Sequence, residues 1–392
     1  MRPGECAGVT PLRIAILCHS TNPRGGVAHA LDLAASLLEL GHEPTVLAPD
    51  PRSAGFFRES ACSTESVSAR RYEGGVVEMV EARVADYLAY FDDPRRRRFD
   101  VFHAQDSISA NALARLKQDR RIERFARTVH HVDRFEDARL EALQRRAIVA
   151  ADAHFVVSAM WRSRLAAEYG VSPDVVGNGV DVGRFSPKED GREAALRERL
   201  GLGAGPVVLA VGGVERRKNT RAILEAFRQI ERIMPAARLV IAGGVSLLDH
   251  SDYHAEFARD IASSDLPVEA VILAGAVDDA DMPALYRIAD VLAFPSIAEG
   301  FGLAVLEAMA SGLPVAVSHI PPFTEYLGDD DAAWCDPGSA GSIANALMAA
   351  LSEPLRSRFA ERGSKVAARH SWREVAARHL PVYERLTERV HA

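Results

Sequence analysis

Val291-Leu292-Ala293-Phe294-Pro295-Ser296-Ile297-Ala298-Glu299-Gly300-Phe301-Gly302-Leu303-Ala304-Val305-Leu306-Glu307 passes from a short apolar run, through a loop holding two glycines, into a helical pattern. The order predicts a strand ending near Pro295, a loop over 296–302 and a helix starting near Leu303. Glycines at 300 and 302 let the backbone approach a ligand closely, and the new helix offers unpaired N–H groups at its positive end. Such a turn suits a phosphate, with Phe301 and Leu303 beside it. Glu299 falls in the loop and Glu307 one turn inside the helix. A carboxylate accepts hydrogen bonds from sugar hydroxyls, so Glu307 suits a ribose and Glu299 a second sugar.

Working outward, the same strand, turn and helix order recurs in two series, the pattern of parallel sheets covered by helices on both faces. The first series has strands over 12–18, 45–48, 100–103, 127–132 and 154–158; the second has them over 207–211, 238–242, 270–273, 291–294 and 315–317. In the first, a helix over 27–40 aligns Val27, Leu31, Ala34 and Leu38, and Gly41 stops it. In the second, a helix over 220–233 aligns Ile223, Phe227, Ile230 and Ile233 behind Asn219, placed to cap it. Asn178-Gly179-Val180-Asp181 and the charged segment 187–205 separate the series. The reading is an α/β chain with an N-terminal Rossmann-like domain over 1–183 and a second over 184–370, ligands lying in a cleft at the carboxyl ends of the strands. Residues 371–392 have an apolar side formed by Trp372, Val375, Leu380, Val382, Tyr383 and Leu386, and a helix kinked at Pro381 could return to the first domain.

Among 392 residues, 48% are apolar and 26% charged, with no uninterrupted apolar stretch of membrane-spanning length, so a soluble two-domain protein is expected. The start, 1–11, lacks a secretory pattern, and Cys6, Cys18, Cys62 and Cys335 have neither disulfide nor metal spacing, which fits the cytoplasm. A net charge of −7 argues against nucleic-acid binding. The basic run Arg95 to Arg98 and the looser cluster Arg115, Lys117, Arg120, Arg121, Arg124 and Arg127 read as solvated faces, compatible with weak peripheral contact at the inner face of a membrane.

Further candidates lie at strand ends. Arg217 and Lys218 precede a helix, where cations neutralise a leaving diphosphate. Gly25 and Gly26 follow the first strand, where backbone N–H groups can face a phosphate. Arg24-Gly25-Gly26-Val27-Ala28-His29 lacks the third glycine of a dinucleotide fingerprint, which leaves an NAD-linked oxidoreductase little support. Of His130 and His131, one should reach the cleft, and His130 is favoured; His103 and Asp106 are placed on the acceptor side. Asp278, Asp279, Asp281 and Asp329 to Asp331 are read as helix caps and turn formers, not as a metal site. Neither a Ser-His-Asp nor a Cys-His pairing emerges.

The Glu299 to Glu307 stretch resembles the Glu-x7-Glu motif of retaining GT-B glycosyltransferases, in particular glycosyltransferase family 4 (glycosyl transferases group 1). Gly25-Gly26, Asn178-Gly179-Val180-Asp181 with Phe185, Arg217-Lys218-Asn219 and the closing 372–383 stretch match in the same order, so the resemblance covers nearly the whole chain. It implies a GT-B fold with two Rossmann-like domains facing across a cleft. It further implies transfer of a hexosyl-type sugar from a UDP- or GDP-sugar to a hydroxyl acceptor, whether small molecule, lipid-linked or glycan. The implied transfer retains anomeric configuration, without metal or cofactor. In similar enzymes a histidine after a Thr-Val pair like Thr128-Val129 contacts the donor sugar, which supports His130, and backbone groups after a strand like 271–277 act near Val277. Many relatives carry an arginine where Gly213 stands, and either Arg217 or Arg216 is available to replace its charge. A front-face mechanism follows, in which the leaving diphosphate takes the acceptor proton. A sugar-nucleotide epimerase and a non-catalytic sugar-nucleotide binder are the alternatives.

Overall fold

The computed structural model describes residues 10–72, 74–244 and 251–388. These fall into two compact units, one running up to Asn178 and resuming at Trp372, the other spanning Gly179–Ser371. The first division therefore comes at Asn178, ahead of the position after 183 read from the turn-rich composition. Asn178 is tied inward, its Oδ1 2.7 Å from His29 Nδ1, while Val180 N already donates to His370 O at 2.8 Å within the second unit.

The first unit comprises β1 (Arg13–Leu17), α1 (Gly25–Glu39), β2 (Glu43–Asp50), β3 (Ser63–Ser68), α2 (Val76–Tyr90), β4 (Val101–Ala104), α3 (Ser107–Gln118), β5 (Ala126–Val129), α4 (Ala138–Val149), β6 (Ala153–Val156), α5 (Ala159–Tyr169) and β7 (Asp174–Val175). The second comprises α6 (Glu193–Arg199), β8 (Val207–Val211), α7 (Thr220–Ile233), β9 (Arg238–Ala242), α8 (Ser251–Ala262), β10 (Val271–Gly275), α9 (Met282–Ile288), β11 (Val291–Phe294), α10 (Leu303–Ala310), β12 (Val315–Ser318), α11 (Phe323–Tyr326), β13 (Ala333–Cys335), α12 (Ala340–Leu351) and α13 (Leu355–Ala368). The last helix, α14 (Trp372–Glu388), belongs to the first unit and runs through Pro381. Its Ala376, Val382 and Tyr383 share one apolar core with Val27, Leu31 and Leu37 of α1.

Both sheets are parallel. Their orders, β3-β2-β1-β4-β5-β6-β7 and β10-β9-β8-β11-β12-β13, each reverse once, between β1 and β4 and between β8 and β11. At such a reversal the flanking crossovers go to opposite faces, so the loops diverge and leave a crevice at the carboxyl ends of the strands. The loop after β1 leads into Gly25 at the start of α1, and the loops after β4, β8 and β11 carry Gln105, Lys218 and Glu299 respectively, so topology alone gathers the candidate residues of each unit.

Several expectations are corrected. Leu38 and Ile233, aligned with the buried stripes, are 41% and 66% exposed. Ile233 closes the 14-residue α7, about 21 Å long, which outruns the five-residue β9 of about 17 Å. Asn219 lies in the left-handed region at φ 62° and its side chain does not cap α7. Arg127, grouped with the solvated cluster, is buried in β5 with Nη2 donating to Ser107 Oγ at 3.0 Å, and burial lowers its pKa to about 10. β5 stops at Val129, so His130 and His131 occupy the turn beyond it. The polar edge strand β3, Ser-Thr-Glu-Ser-Val-Ser, buries only Val67, which is why no apolar pattern announced it. Cys18, Cys62 and Cys335 are buried free thiols; Cys6 and most of the 1–11 segment lie outside the described residues. No helix among the described residues is long and apolar enough to cross a membrane.

Candidate functional site

In the second unit the site grows from the turn after β8. Gly212 and Gly213 both take positive φ, 119° and 76°. A Cβ on Gly212 would stand 2.6 Å from Lys218 Cε, so only glycine lets the lysine side chain lie back across its own turn. A Cβ on Gly213 would meet the carbonyl oxygens of Gly244 and Gly243 at 3.1 and 3.3 Å. With φ at 76° and this close backbone approach, any side chain at Gly213 would be strained.

Lys218 reaches Glu299, Nζ to Oε1 2.6 Å, and passes 4.2 Å from the centroid of the Phe294 ring. Arg217 Nη1 binds the same Oε1, and its Nη2 lies 3.6 Å from Glu215. Burial pulls the Lys218 ammonium below its ordinary value, Glu299 pulls it back up, and Arg217 opposes it. Arg216 instead lies over the Tyr253 ring at 5.1 Å, with Glu256 at 4.0 Å. Arg217, not Arg216, therefore joins Lys218 at the carboxylate.

The loop that carries Glu299 is held from several sides. Asn219 Nδ2 donates to Pro295 O at 3.1 Å and to Pro337 O at 2.8 Å, Ile297 N donates to Arg217 O at 2.9 Å, and Ser318 Oγ donates to Ser296 O at 2.7 Å. Asn219 is thus a clamp between loops, a role its helix-cap position concealed. Phe301 is buried and stacks on Tyr326 at 4.6 Å and 3°. Gly302 ends the loop at φ 97°, where a Cβ would fall 2.7 Å from Phe323 Cε1. No side chain caps α10; Val305 N already donates to Gly302 O at 2.9 Å, which leaves the N–H groups of Leu303 and Ala304 to meet an anion. Gly300 lies in the loop, and Glu307 faces Tyr286, whose hydroxyl donates to Oε2 at 2.7 Å. Val277 lies two residues beyond β10, which is separated from β8 by β9 in the sheet. The aspartates set aside as turn formers pair with arginines: Asp279 with Arg184 at 2.7 Å, Asp281 with Arg199 at 2.5 Å, Asp331 with Arg362 at 2.8 Å.

In the first unit, Gly25 and Gly26 open α1 itself, whose N-terminus has no side-chain cap. Nothing lies within 4 Å of a Cβ built on Gly25, while one on Gly26 would meet His130 Cδ2 at 3.7 Å. His130 Nε2 is 3.0 Å from Gln105 Oε1; that oxygen can only accept, so Nε2 carries the proton. Burial holds His130 well below the ordinary histidine value, with His29, His131, His103 and Arg127 pushing the same way. His131 turns outward, its Nε2 3.2 Å from Asp133. His103 and Asp106, read on the acceptor side, both have partners within the first unit. His103 is buried between Tyr383 OH at 2.7 Å and Thr128 Oγ1 at 2.8 Å, and Asp106 caps α3, accepting from Ser109 N at 2.9 Å. Sequence reasoning missed Gly212 and Gln105, although the Gly212-Gly213 doublet after a strand was a visible signal.

Two family models match this chain: that of the glycosyl transferases group 1 over residues 193–366, and that of glycosyltransferase family 4 over 23–184. The chain is a family 4 glycosyltransferase. This glycosyltransferase is 29% identical over 394 residues to the phosphatidyl-myo-inositol mannosyltransferase of Mycobacterium leprae, covering 95% of this chain and 96% of that one. It is also 29% identical over 327 residues to the D-inositol 3-phosphate glycosyltransferase of Xylanimonas cellulosilytica, covering 74% and 73%. Among solved structures, sucrose-phosphate synthase from Thermosynechococcus elongatus matches with a TM-score of 0.76 at 20% identity over 96% of this chain and 99% of that one. Anabaena HepE in complex with UDP and glucose matches at 0.75 and 18%, again over 96% and 99%. Both likenesses establish the GT-B fold of the glycosyltransferase.

Proposed function

We infer that this glycosyltransferase moves a hexosyl group from a nucleoside-diphosphate sugar to a hydroxyl acceptor, with retention of configuration and without metal. The observation that carries the reading is the convergence of Lys218 and Arg217 on the single carboxylate of Glu299, beside the uncapped N-terminus of α10. Glu215, 3.6 Å from Arg217, balances the second cation, and an incoming diphosphate carries more charge than Glu299 alone and competes with it for both cations. On binding, the diphosphate takes the cations and the helix N–H groups of Leu303 and its neighbours, with Gly300 and Phe301 shaping the loop. Glu299 then turns to sugar hydroxyls, and Glu307, oriented by Tyr286, meets the ribose. As the sugar–phosphate bond breaks, charge grows on the leaving oxygen, where Lys218 and Arg217 stabilise it in the role a metal would otherwise fill. That oxygen takes the proton of the attacking hydroxyl on the same face. His130, neutral and with its Nε2 proton committed to Gln105, offers Nδ1 as an acceptor to a sugar hydroxyl.

The names of several relatives carry a phosphate-bearing polyol, phosphatidyl-myo-inositol or D-inositol 3-phosphate, and one is a GDP-mannose-dependent mannosyltransferase. They support a mannosyl donor and a phosphorylated polyol acceptor; a lipid-borne acceptor would bring a cytoplasmic enzyme to the inner membrane face. The test is a matrix of GDP-mannose and UDP-glucose against inositol 3-phosphate and phosphatidylinositol vesicles, with and without EDTA. An α-linked product from an α-linked donor, insensitive to EDTA, is the expected result. A β-linked product overturns retention, loss with EDTA overturns metal independence, and donor conversion without acceptor identifies an epimerase.

A further inference from the structure

His29, on the first turns of α1, is fully buried, and the transfer chemistry above makes no use of it. Its surroundings are specific. Nδ1 lies 2.7 Å from Asn178 Oδ1, which can only accept, so the ring is the Nδ1–H tautomer. The ring packs edge-on against Trp372 at 5.1 Å and against His130 at 4.7 Å, both at 79°. Asn178 is the last residue of the first unit before the chain leaves it, and Trp372 is the first residue after it returns. One imidazole therefore touches both points of passage and the ring proposed to meet the donor sugar.

A second route leads to the same ring. Gln105 holds His130 Nε2 at 3.0 Å, and its amide nitrogen lies 3.4 Å from His103 Nε2, whose Nδ1 is 2.7 Å from Tyr383 OH on α14. Gln105 fixes where the His130 proton sits; His29 fixes the plane of the ring. An imidazole with one committed nitrogen and one packed face has little freedom left, and a sugar contact needs that preorganisation.

We propose that His29 is a positioning residue: it couples the two chain passages at Asn178 and Trp372 to the orientation of His130. The inference rests on the reading that His130 meets the donor sugar, but its first measurement does not. In 15N-histidine-labelled protein, with His130 assigned by loss of its signals in His130→Gln, the ligand-free enzyme gives His130 as a single Nε2–H tautomer. His29→Phe keeps a ring against His130 but loses the bond to Asn178. His29→Asn keeps a donor for Asn178 but removes the ring. Asn178→Ala touches neither ring. All three should broaden or mix the His130 tautomer signals, and in the transfer assay kcat should fall about tenfold to a hundredfold while donor KM changes by less than about threefold. Unchanged His130 signals in Asn178→Ala and in whichever His29 variant folds would overturn the coupling, whatever the enzyme's substrate. Altered signals with unaltered kcat would leave the coupling standing and refute the role of His130 at the donor.

Discussion

The two units hold their candidate groups by opposite physical means. In the second unit the groups are charged and in contact: Lys218 and Arg217 share Glu299, and the loop around them is fastened by Asn219, Ser318 and Tyr326. In the first unit they are neutral: burial lowers the pKa values of His29, His103, His130 and His379, and hydrogen bonds fix their tautomers. On the proposed function, the difference matches what each would meet. A diphosphate needs compensating charge, and its leaving needs more; a sugar hydroxyl needs a correctly placed neutral donor or acceptor. The charged site can be loosened by its ligand because an exposed partner such as Arg217 is readily re-paired. The neutral site changes only if its packing changes.

The strongest way to break this contrast is Lys218→Ala. If the cation acts on the leaving group, kcat should fall by about 10²–10³ with donor KM altered much less, since the charge it meets grows only in the transition state. Steady-state transfer kinetics and calorimetric binding of the nucleoside diphosphate measure the two parts separately. A loss confined to binding would move Lys218 from the reacting bond to the resting ligand.

Acid acts on the other unit. An unfolded histidine takes up its proton near pH 6.5, as the handling of model peptides shows, whereas His29 in the fold holds off to about 4 and His379 to about 3, chiefly through burial. Between these values the unfolded chain binds more protons, so stability is intact above about pH 6.5 and is lost as the pH falls. Each such histidine contributes a slope of about 1.4 kcal/mol per pH unit until it protonates itself, or about 2 kcal/mol at pH 5. Hydrogen exchange at pH 7.5 and 5 should show α1 and α14 losing protection first. Equal loss in α7 and α12 would mean that the histidine cluster does not govern acid stability.

The two sites also differed in how far sequence could reach them. The strand and helix series were legible because buried parallel strands are continuous apolar runs, and β8, β9 and β11 match the residues read from pattern alone. The Glu299 loop was legible because glycines and acids at fixed spacing mark it. Gln105 and His29 were not, since a buried polar residue announces itself only through partners distant in the chain, and His29 to Asn178 spans 149 residues. Asn219 misled for a related reason. Local position favours a cap, while its amide is claimed by Pro295 and Pro337, and no periodicity encodes that choice.

The smallest expected effect sharpens the contrast within the second unit. Glu299 is held by cations, but Glu307 receives a neutral hydroxyl from Tyr286, itself fully buried under α10. If Glu307 meets the ribose, Tyr286 orients it without taking part in the change of charge at the leaving group. Tyr286→Phe keeps the ring and removes only the donor, a loss of about 1 kcal/mol, or up to about fivefold in donor KM. Because the ribose contact is the same before and during bond breaking, kcat should hold. A fall in kcat with unchanged KM would place Glu307 nearer the reacting bond than its position inside α10 implies, and would make Glu299 and Glu307 partners in one task.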